Sequence, residues 1–388
     1  MILNDQEVRK CLKNFKIGCT VIIVTLIGLF LKNNAPANNY KNPDTLNIQD
    51  KQSMMMADKA VEKIARGTSG KFETLYLGAD GQFQWNILNP EETSFFDEDG
   101  KAIKSILLIS TKLQTSTPFD QESNRYETST LRQAEIALAS QTLSPKEAEV
   151  IFNTTQPGGD VVTVTSYSFI ESQLFGDKFF APTAKIMNSN SCGLEDRHYR
   201  QEGNYYWLSA AAKDDPKLAG YISKCGVFAQ LDITVEHLSA RATANLDPHA
   251  VLFFAAAQGG KVSGVVGSKA MQDVEHQELL SDYRLTLKDA SQTLVVSDQV
   301  KENNKISFNY NAQGDGDLLS AVIIDKTQNE IVSYGQLADI SVTKMGVALI
   351  ELPKKYDHDN YQIKVFSEQY NGDYKTDYAS ELVDLKIE

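Results

Sequence analysis

Ile306-Ser-Phe-Asn-Tyr310 and Leu319-Ser-Ala-Val-Ile-Ile324 decide the fold class of the C-terminal part of the chain. They belong to an uninterrupted series of short strand-like segments that begins near Tyr283. The predicted strands are Leu285–Leu287, Leu294–Val296, Ile306–Tyr310, Leu319–Ile324, Ile331–Tyr334, Val347–Leu352, Tyr361–Phe366 and Leu382–Ile387. Their spacing is about 8 to 15 residues, with Gly, Asn and Asp turns between them. We therefore predict an all-β, immunoglobulin-like sandwich over residues 283–388.

The part before this series mixes strands with helices and predicts an α+β domain over residues 71–254. Ile103–Ile109 predicts a buried strand, and one helix begins near Ser129. Ser144-Pro145-Lys146-Glu147 is a capping box with proline at the first helical position, so a second helix begins there. Residues 38–70 are predicted to be a linker with a short helix, and residues 255–282 an Ala- and Gly-rich connector.

The N-terminus carries an export signal. Fifteen uncharged residues, Ile17–Leu31, follow a basic flank, and this arrangement delivers the rest of the chain outside the cytoplasm. Residues 1–37 are a signal peptide cleaved after the small-x-small pattern Ala35-Pro36-Ala37, or a retained membrane anchor. Both outcomes place the protein outside the cytoplasm, either secreted or held to the membrane through residues 17–31.

The exported part is acidic. The chain has 38 Lys and Arg residues and 51 Asp and Glu residues. Five of the basic and two of the acidic residues lie in residues 1–37, so the part after residue 37 has a net charge of −16. Such a surface disfavours nucleic acid and anionic lipid. Only Cys192 and Cys225 remain after residue 37, and a lone pair in an oxidising compartment predicts a disulfide between them.

Several segments, in order, resemble an uncharacterised domain family in exported proteins of clostridia-like Gram-positive bacteria. They are Trp85–Leu88, Ile106–Ser110, Tyr126–Arg132, Leu143–Ile151, Gly176–Thr183, Tyr206–Ser209 and Ala240–Ala242. Members of that domain of unknown function carry W-x-V-L, YWLRSP and GVRPA patterns and are often followed by a β-sandwich tail. The Trp-Leu-Ser segment and the Arg241 segment also resemble the C-type-lectin-like and sulfatase-modifying-factor fold, which implies that fold for the first domain.

This sequence departs from the family pattern at two places. Ser209-Ala210-Ala211 stands where the family has Arg-Ser-Pro after Tyr-Trp-Leu, and Arg241-Ala242-Thr243 stands where it has Arg-Pro-Ala. If the missing arginine helps the family to hold a ligand, that ability is in question here.

The ligand-binding candidates are Trp207, Tyr205, Tyr206 and Arg241. Aromatic faces suit the C–H groups of sugars, so the Tyr-Tyr-Trp segment is a candidate sugar platform. Two other interpretations stay open: an alternating core strand for the aromatic residues, and a buried salt-bridge partner for Arg241.

No pattern in the sequence predicts catalysis or a metal site. The histidines show no zinc spacing, and there is no GxSxG or SxxK motif and no convincing Cys–His or carboxylate pair. Two turns, Gly314–Asp317 and Asp357–Asn360, each contain several side-chain oxygen atoms of the kind that bind calcium. Turns of this composition between strands also form without a metal. We predict no cofactor, with calcium as an open alternative.

These observations predict an exported cell-surface binding or adhesion module rather than an enzyme. Its predicted partners are cell-wall glycans, host glycans or surface proteins. Two alternatives remain: a structural stalk or surface-assembly protein without a ligand, and an unrecognised extracellular hydrolase.

Overall fold

The computed structural model describes residues 53–65, 72–261, 265–275, 282–356 and 359–386. The predicted signal segment, its cleavage site at Ala35 and Ala37, and part of the Asp357–Asn360 turn lie outside these residues. No helix in the described ranges is long and apolar enough to span a membrane. The described residues all belong to one compact unit that begins at Ile48.

The described part of the chain is mostly β-structure, with four α-helices. The helices are α1 (Ala57–Ala65), α2 (Thr130–Thr142), α3 (Pro145–Glu149) and α4 (Ala184–Met187). The first strands are β1 (Met54–Met56), β2 (Thr74–Tyr76), β3 (Gln84–Glu92), β4 (Ser105–Ser110), β5 (Thr154–Gln156), β6 (Val161–Val164), β7 (Tyr167–Ile170), β8 (Leu174–Asp177), β9 (Tyr206–Ala212), β10 (Leu218–Ile222), β11 (Phe228–Asp232) and β12 (Thr243–Leu246). The remaining strands are β13 (Val251–Ala256), β14 (Gln272–Asp273), β15 (Asp282–Lys288), β16 (Thr293–Glu302), β17 (Lys305–Gln313), β18 (Leu318–Asp325), β19 (Glu330–Asp339), β20 (Met345–Glu351), β21 (Tyr361–Gln369), β22 (Asp377–Ala379) and β23 (Val383–Asp384).

One large sheet runs through the described residues. Its thirteen described strands include the path β12-β4-β3-β2-β15-β22-β21-β18-β19-β14, with β1 and β13 branching at β15 and β23 at β21. β15 is parallel to both β2 and β22. The sheet therefore contains strands from both sides of the predicted 255–282 connector.

Three smaller sheets lie beside the large one in the described ranges: β11-β10-β9-β7-β6, β16-β17-β20 and the pair β5-β8. The sandwich-like part is formed by β16-β17-β20 and the C-terminal strands of the large sheet. In β17, Ile306, Phe308 and Tyr310 are buried in one core with Leu319 and Ile323 of β18. The eight strands predicted after residue 283 are all observed, whereas the short strand β22 was missed.

Local sequence signals explain the helix starts. The Ser129 hydroxyl accepts a hydrogen bond from the Arg132 backbone N–H at the start of α2. At α3 the predicted capping box is confirmed: Ser144 Oγ accepts from Glu147 N at 3.3 Å, and Glu147 Oε2 accepts from Ser144 N at 2.9 Å. Capping of this kind needs only residues three apart, so the sequence alone identifies it.

The large sheet is held at its centre by a buried charge network. Lys261 Nζ lies 2.8 Å from both Glu368 Oε2 and Asp377 Oδ2, and all three side chains are fully buried. Arg284 Nη1 is 3.4 Å from Asp377 Oδ2, so two cations face two carboxylates. Burial opposes the charged form of Lys261, but the two carboxylates outweigh it and raise the lysine pKa.

The hydrogen bonds of this network cross the middle of the sheet. Glu368 of β21 accepts from Ser320 Oγ of β18 and from the Tyr334 hydroxyl of β19. Asp377 belongs to β22, and Arg284 belongs to β15. The network therefore touches five strands that are consecutive in the sheet order, β15-β22-β21-β18-β19.

Cys192 and Cys225 are not bridged, so the predicted disulfide is wrong for this structure. Cys192 is buried in a core cluster, where burial raises its thiol pKa. The loops of both cysteines are instead joined by Arg200, which is 7% exposed. Its Nη1 donates to Leu194 O at 2.6 Å and to Glu195 O at 2.7 Å, and its Nε donates to Gly226 O at 2.8 Å.

We expect Lys261→Met to lower the free energy of unfolding by about 3 to 5 kcal/mol, because it leaves two buried carboxylates facing one cation. The control is Lys355→Met, which removes an exposed pair with Asp273 and should cost at most about 1 kcal/mol. Urea unfolding of both variants measures the difference. Equal effects would show that the network does not hold the sheet.

We expect Arg200→Met to lower the free energy of unfolding by at least about 2 kcal/mol, because several buried carbonyls lose their donor. Arg197→Met is the matched control, since Arg197 lies three residues earlier and is exposed. The same unfolding curves recorded with and without reductant should coincide. A loss of stability on reduction would contradict the absence of a bridge.

Candidate functional site

The predicted sugar platform is not at the surface. Trp207 is fully buried, and its Nε1 donates to Thr117 O at 2.8 Å. Its ring packs edge-on against Phe119 at 5.8 Å and Tyr221 at 6.4 Å between ring centroids. Because the ring is buried and its N–H group is already hydrogen-bonded, it is not accessible to a sugar. Trp207 is therefore a core residue.

Tyr206 and Arg241 contact each other in the interior. Arg241 is 1% exposed, donates to Tyr206 Oη at 3.0 Å and to Ser110 O at 3.1 Å, and pairs with Glu202. The Tyr206 hydroxyl donates to Arg200 O at 2.9 Å, and burial raises its pKa to about 12. Arg241 therefore joins strands as a buried ion-pair partner.

Tyr205 is the ligand candidate that reaches the surface, because its side chain is half-buried. Its ring lies 6.1 Å from that of Tyr221, and Lys224 Nζ lies 5.2 Å from the Tyr205 ring centroid. The structure thus places both Tyr205 and Trp207 in contact with Tyr221, and Tyr206 in contact with Arg241. It does not assemble the four residues into one open site.

A different part of the chain forms an open groove with a volume of about 600 Å³. Three segments line it: the acidic loop after β3, the end of β5 and its turn, and the start of β8. The lining residues are Phe96, Asp97, Glu98, Gly100, Thr155, Gln156, Pro157, Gln173, Leu174 and Phe175. Leu174 is buried, and the lining also includes two phenylalanine rings, two glutamine amides and the carboxylates of Asp97 and Glu98.

Phe175 gives the groove an exposed aromatic ring. It is 51% exposed, although it lies in a strand between the buried residues Leu174 and Asp177. The Arg132 guanidinium lies 5.9 Å from the ring centroid. Arg132 is itself fixed by two hydrogen bonds to Asp177, Nε to Oδ2 at 2.9 Å and Nη2 to Oδ1 at 2.7 Å. A planar bidentate pair therefore supports the ring from one side.

The acidic wall of the groove is a preorganised loop. Asp97 Oδ1 accepts from the backbone N–H groups of Asp99 at 3.0 Å and Lys101 at 2.8 Å. Glu98 Oε2 accepts from Asn153 Nδ2 at 3.0 Å, which holds this carboxylate towards β5. One oxygen of each carboxylate is therefore already bonded, which favours a role in positioning and recognition over proton transfer.

Gly176 lets the acidic loop approach β8. Its φ is +87°, a conformation that L side chains rarely adopt, and a Cβ there would lie 2.9 Å from Glu98 Oε1. The groove thus depends on a backbone position that favours glycine.

Two buried carboxyl groups outside the groove lining have raised pKa values. Glu135 of α2 is fully buried, and burial raises its pKa to about 8 against the opposing effect of the Arg241 backbone N–H. Glu171, directly after β7, accepts from Lys185 N at 3.0 Å, and burial raises its pKa to about 7. An acid that stays neutral avoids the cost of a buried unpaired charge.

The sequence signal for this groove was weak. The composition of Asp97–Gly100 predicts an acidic loop and that of Gln156–Gly159 predicts a turn, but nothing local shows that the two segments meet. Phe175 lies in a four-residue strand with no aromatic neighbour before it. Within the described ranges, no group of three or more His, Cys, Asp or Glu side chains is arranged to hold a metal ion.

We expect Glu135→Gln to remove a pH dependence of stability. The folded-state pKa of about 8 lies above the unfolded value near 4.5, so ionisation in the unfolded chain lowers the wild-type stability as pH rises from about 5 to 8. The slope from this group is about 1.4 kcal/mol per pH unit. The Tyr126 hydroxyl and the Arg241 backbone N–H, which both act on Glu135, remain in both proteins. Urea unfolding from pH 5 to 9 should show the variant gaining stability over the wild type; parallel curves would contradict the assignment.

Comparison with protein-family models finds no match, and comparison with curated proteins finds none. Among solved structures, the chain is similar to a β-D-glucuronidase from Dictyoglomus thermophilum at 11% identity and a TM-score of 0.15. The match covers 42% of this chain and 28% of that one, so the chain spans less than a third of that protein. At this TM-score the similarity supports no conclusion about fold or activity, and the family resemblance seen in the sequence stays a prediction.

Proposed function

We propose that the protein is an exported binding module that takes a glycan in the groove formed around Phe96, Glu98 and Phe175. The observation that carries this proposal is the exposed Phe175 ring beside fixed hydrogen-bonding groups. Open ligand sites combine apolar faces with a few polar groups whose positions are set in advance. Sugars present both C–H faces and hydroxyl groups, so they complement an aromatic ring flanked by carboxylate and amide oxygens.

The negative charge of the groove and of the chain favours a neutral glycan over an acidic one. Asp97 and Glu98 lie on the groove wall, and the chain after residue 37 has a net charge of −16. Both features repel polyanions such as nucleic acid and acidic lipid headgroups. A neutral sugar can instead donate its hydroxyl protons to the carboxylate oxygens that the loop leaves open.

The location of this role follows from the N-terminal segment. The apolar run at residues 17–31 supports export, with the chain either secreted or anchored in the membrane by that run. Glycans of the cell wall or of a host surface are the partners available there. Surface proteins are the other class of partner that the same groove serves.

The finer fold assignment is part of this proposal. Six strands, β16-β17-β20 and β21-β18-β19, share one apolar core, which supports an immunoglobulin-like sandwich for residues 283–388. The C-type-lectin-like fold for residues 71–254 is supported by the sequence resemblance of the Trp207 and Arg241 segments. There, Trp207 N bonds to Ser239 O at 3.1 Å, next to the Arg241 segment.

We expect Phe175→Ala to lower glycan affinity at least tenfold, which corresponds to about 1.4 kcal/mol. A glycan array and a cell-wall pull-down with wild-type protein identify the sugar class, and titration of that sugar measures the loss. Glu98→Gln should weaken binding several-fold, because the charged acceptor becomes neutral.

Tyr374→Ala is the matched control, since Tyr374 is an exposed aromatic residue outside the groove. Circular dichroism confirms that the variants stay folded. Binding of no glycan or wall fraction by the wild type, or equal losses in Phe175→Ala and Tyr374→Ala, would overturn the proposed site.

A further inference from the structure

The outer face of the β16-β17-β20 sheet is unusually apolar for a surface. Val295 is 64% exposed, Met345 61% and Val347 73%. Cross-strand register aligns three rows on this face: Val295–Asn311–Met345, Ser297–Asn309–Val347 and Val300–Ser307–Leu349. None of these nine side chains carries a formal charge. Asp298, in the bulge of β16, accepts a hydrogen bond from Asn309 Nδ2 at 2.5 Å and lies two strands from β20. The next row on this face, Glu302–Lys305–Glu351, is charged and forms its border.

β20 is an edge strand of this sheet. Its neighbour is β17, and the bonds Leu352 N to Asn304 O and Ala312 N to Lys344 O fix which residues face that neighbour. In an antiparallel ladder, alternate residues bond to the same partner strand. Gly346, Ala348 and Ile350 therefore bond β17, whereas the N–H and C=O groups of Met345, Val347 and Leu349 point away from it.

The open edge is five residues long. At its far end, Glu351 N donates to Ser268 O at 2.8 Å, so that position is already closed. Met345, Val347 and Leu349 make no backbone hydrogen bond on this side to any residue in the described ranges. Natural edge strands are usually protected by lysine, proline or a bulge, but here the three open positions carry apolar side chains.

The edge is complementary to itself. A two-fold axis through Val347 pairs Val347 with Val347 of a second chain and Met345 with Leu349, and every open N–H then meets an open C=O. The axis extends the three rows without placing one charged side chain against another, because Glu351 falls opposite Thr343. An isologous two-fold contact of this kind is the commonest way in which identical chains associate.

We propose that this face binds a second copy of the chain, with two β20 strands pairing antiparallel about Val347 to form a six-stranded sheet. The proposed contact and the Phe175 groove use different residues, because no groove residue belongs to β16, β17 or β20. Two grooves on one particle raise avidity for a repeated ligand without any new ligand contact. The pairing does not depend on what the groove binds.

The charge of the chain predicts how dimerisation responds to salt. The contact itself carries no ion pair, while two copies with a net charge of −16 after residue 37 repel each other. Screening should therefore strengthen association as salt rises from about 50 mM to about 500 mM. An interface built on ion pairs would weaken over the same range.

Cross-linking through one added cysteine in the full chain tests the register. In the proposed pair the Cα atoms of the two Val347 residues lie about 5.5 Å apart, within disulfide reach. Val347→Cys should therefore form a disulfide-linked dimer of twice 43.1 kDa under mild oxidation, well above the wild-type background and above Val342→Cys. Val342 is 93% exposed and lies outside the strand, which makes it the matched control.

A second pair of variants fixes the direction of pairing. Met345→Cys mixed with Leu349→Cys should cross-link, whereas Met345→Cys alone should not, because the two Met345 residues are separated by about 13 Å. Adding Val347→Pro to both should abolish the cross-link while circular dichroism stays unchanged, since its N–H faces the open edge and bonds nothing in β17.

Three results would overturn the proposal. Val347→Cys that cross-links no better than Val342→Cys excludes pairing at this edge. Met345→Cys that cross-links to itself as well as to Leu349→Cys excludes the two-fold register. A Val347→Cys product of a mass other than twice that of the chain assigns the edge to a different partner.

Discussion

The Lys261 ion network is the constraint on which the rest of the fold depends. It ties the end of β13 to five consecutive strands of the large sheet, from β15 to β19. A buried ion pair adds little net stability over an apolar replacement, but removal of one partner is costly because the other charge stays buried. Its physical effect is therefore to select one arrangement: Lys261 finds two carboxylates only when β21 and β22 lie side by side.

The network also explains why the Ala- and Gly-rich stretch after β13 is not a simple spacer. Gly260 packs so closely that a Cβ there would meet Ala256 O at 2.4 Å, and the next residue carries the buried ammonium group. Tyr370 donates to Lys261 O at 3.1 Å, which closes the site from the other side. The absence of a side chain at Gly260 allows the close backbone approach that places the Lys261 ammonium group inside the sheet.

Sequence patterns predicted the local features of this structure and missed the non-local ones. The capping box at Ser144 and the strands after residue 283 depend on residues a few positions apart, so the printed sequence contains them. The burial of Trp207 depends on Thr117 and Phe119, about ninety residues earlier. The missing disulfide has the same origin, because the contacts of Arg200 with the two cysteine loops cannot be read from the spacing of the cysteines.

The groove is invisible to local patterns for the same reason. Its walls come from residues 96–100, 155–157 and 173–175, and each segment alone is a turn or a strand end. Antiparallel pairing of β5 with β8, and the bond from Thr155 N to Phe96 O at 2.8 Å, bring the three segments together.

The acidic loop of the groove and the open sheet edge are the two surfaces for which we propose contacts. The proposed glycan contact presents carboxylates to hydroxyl donors, and the proposed edge contact presents uncharged side chains to a second chain, so neither contact opposes two negative charges. Both follow from one physical limit: a chain with an excess of carboxylates associates most readily where it presents an acceptor to a neutral donor or presents no charge at all.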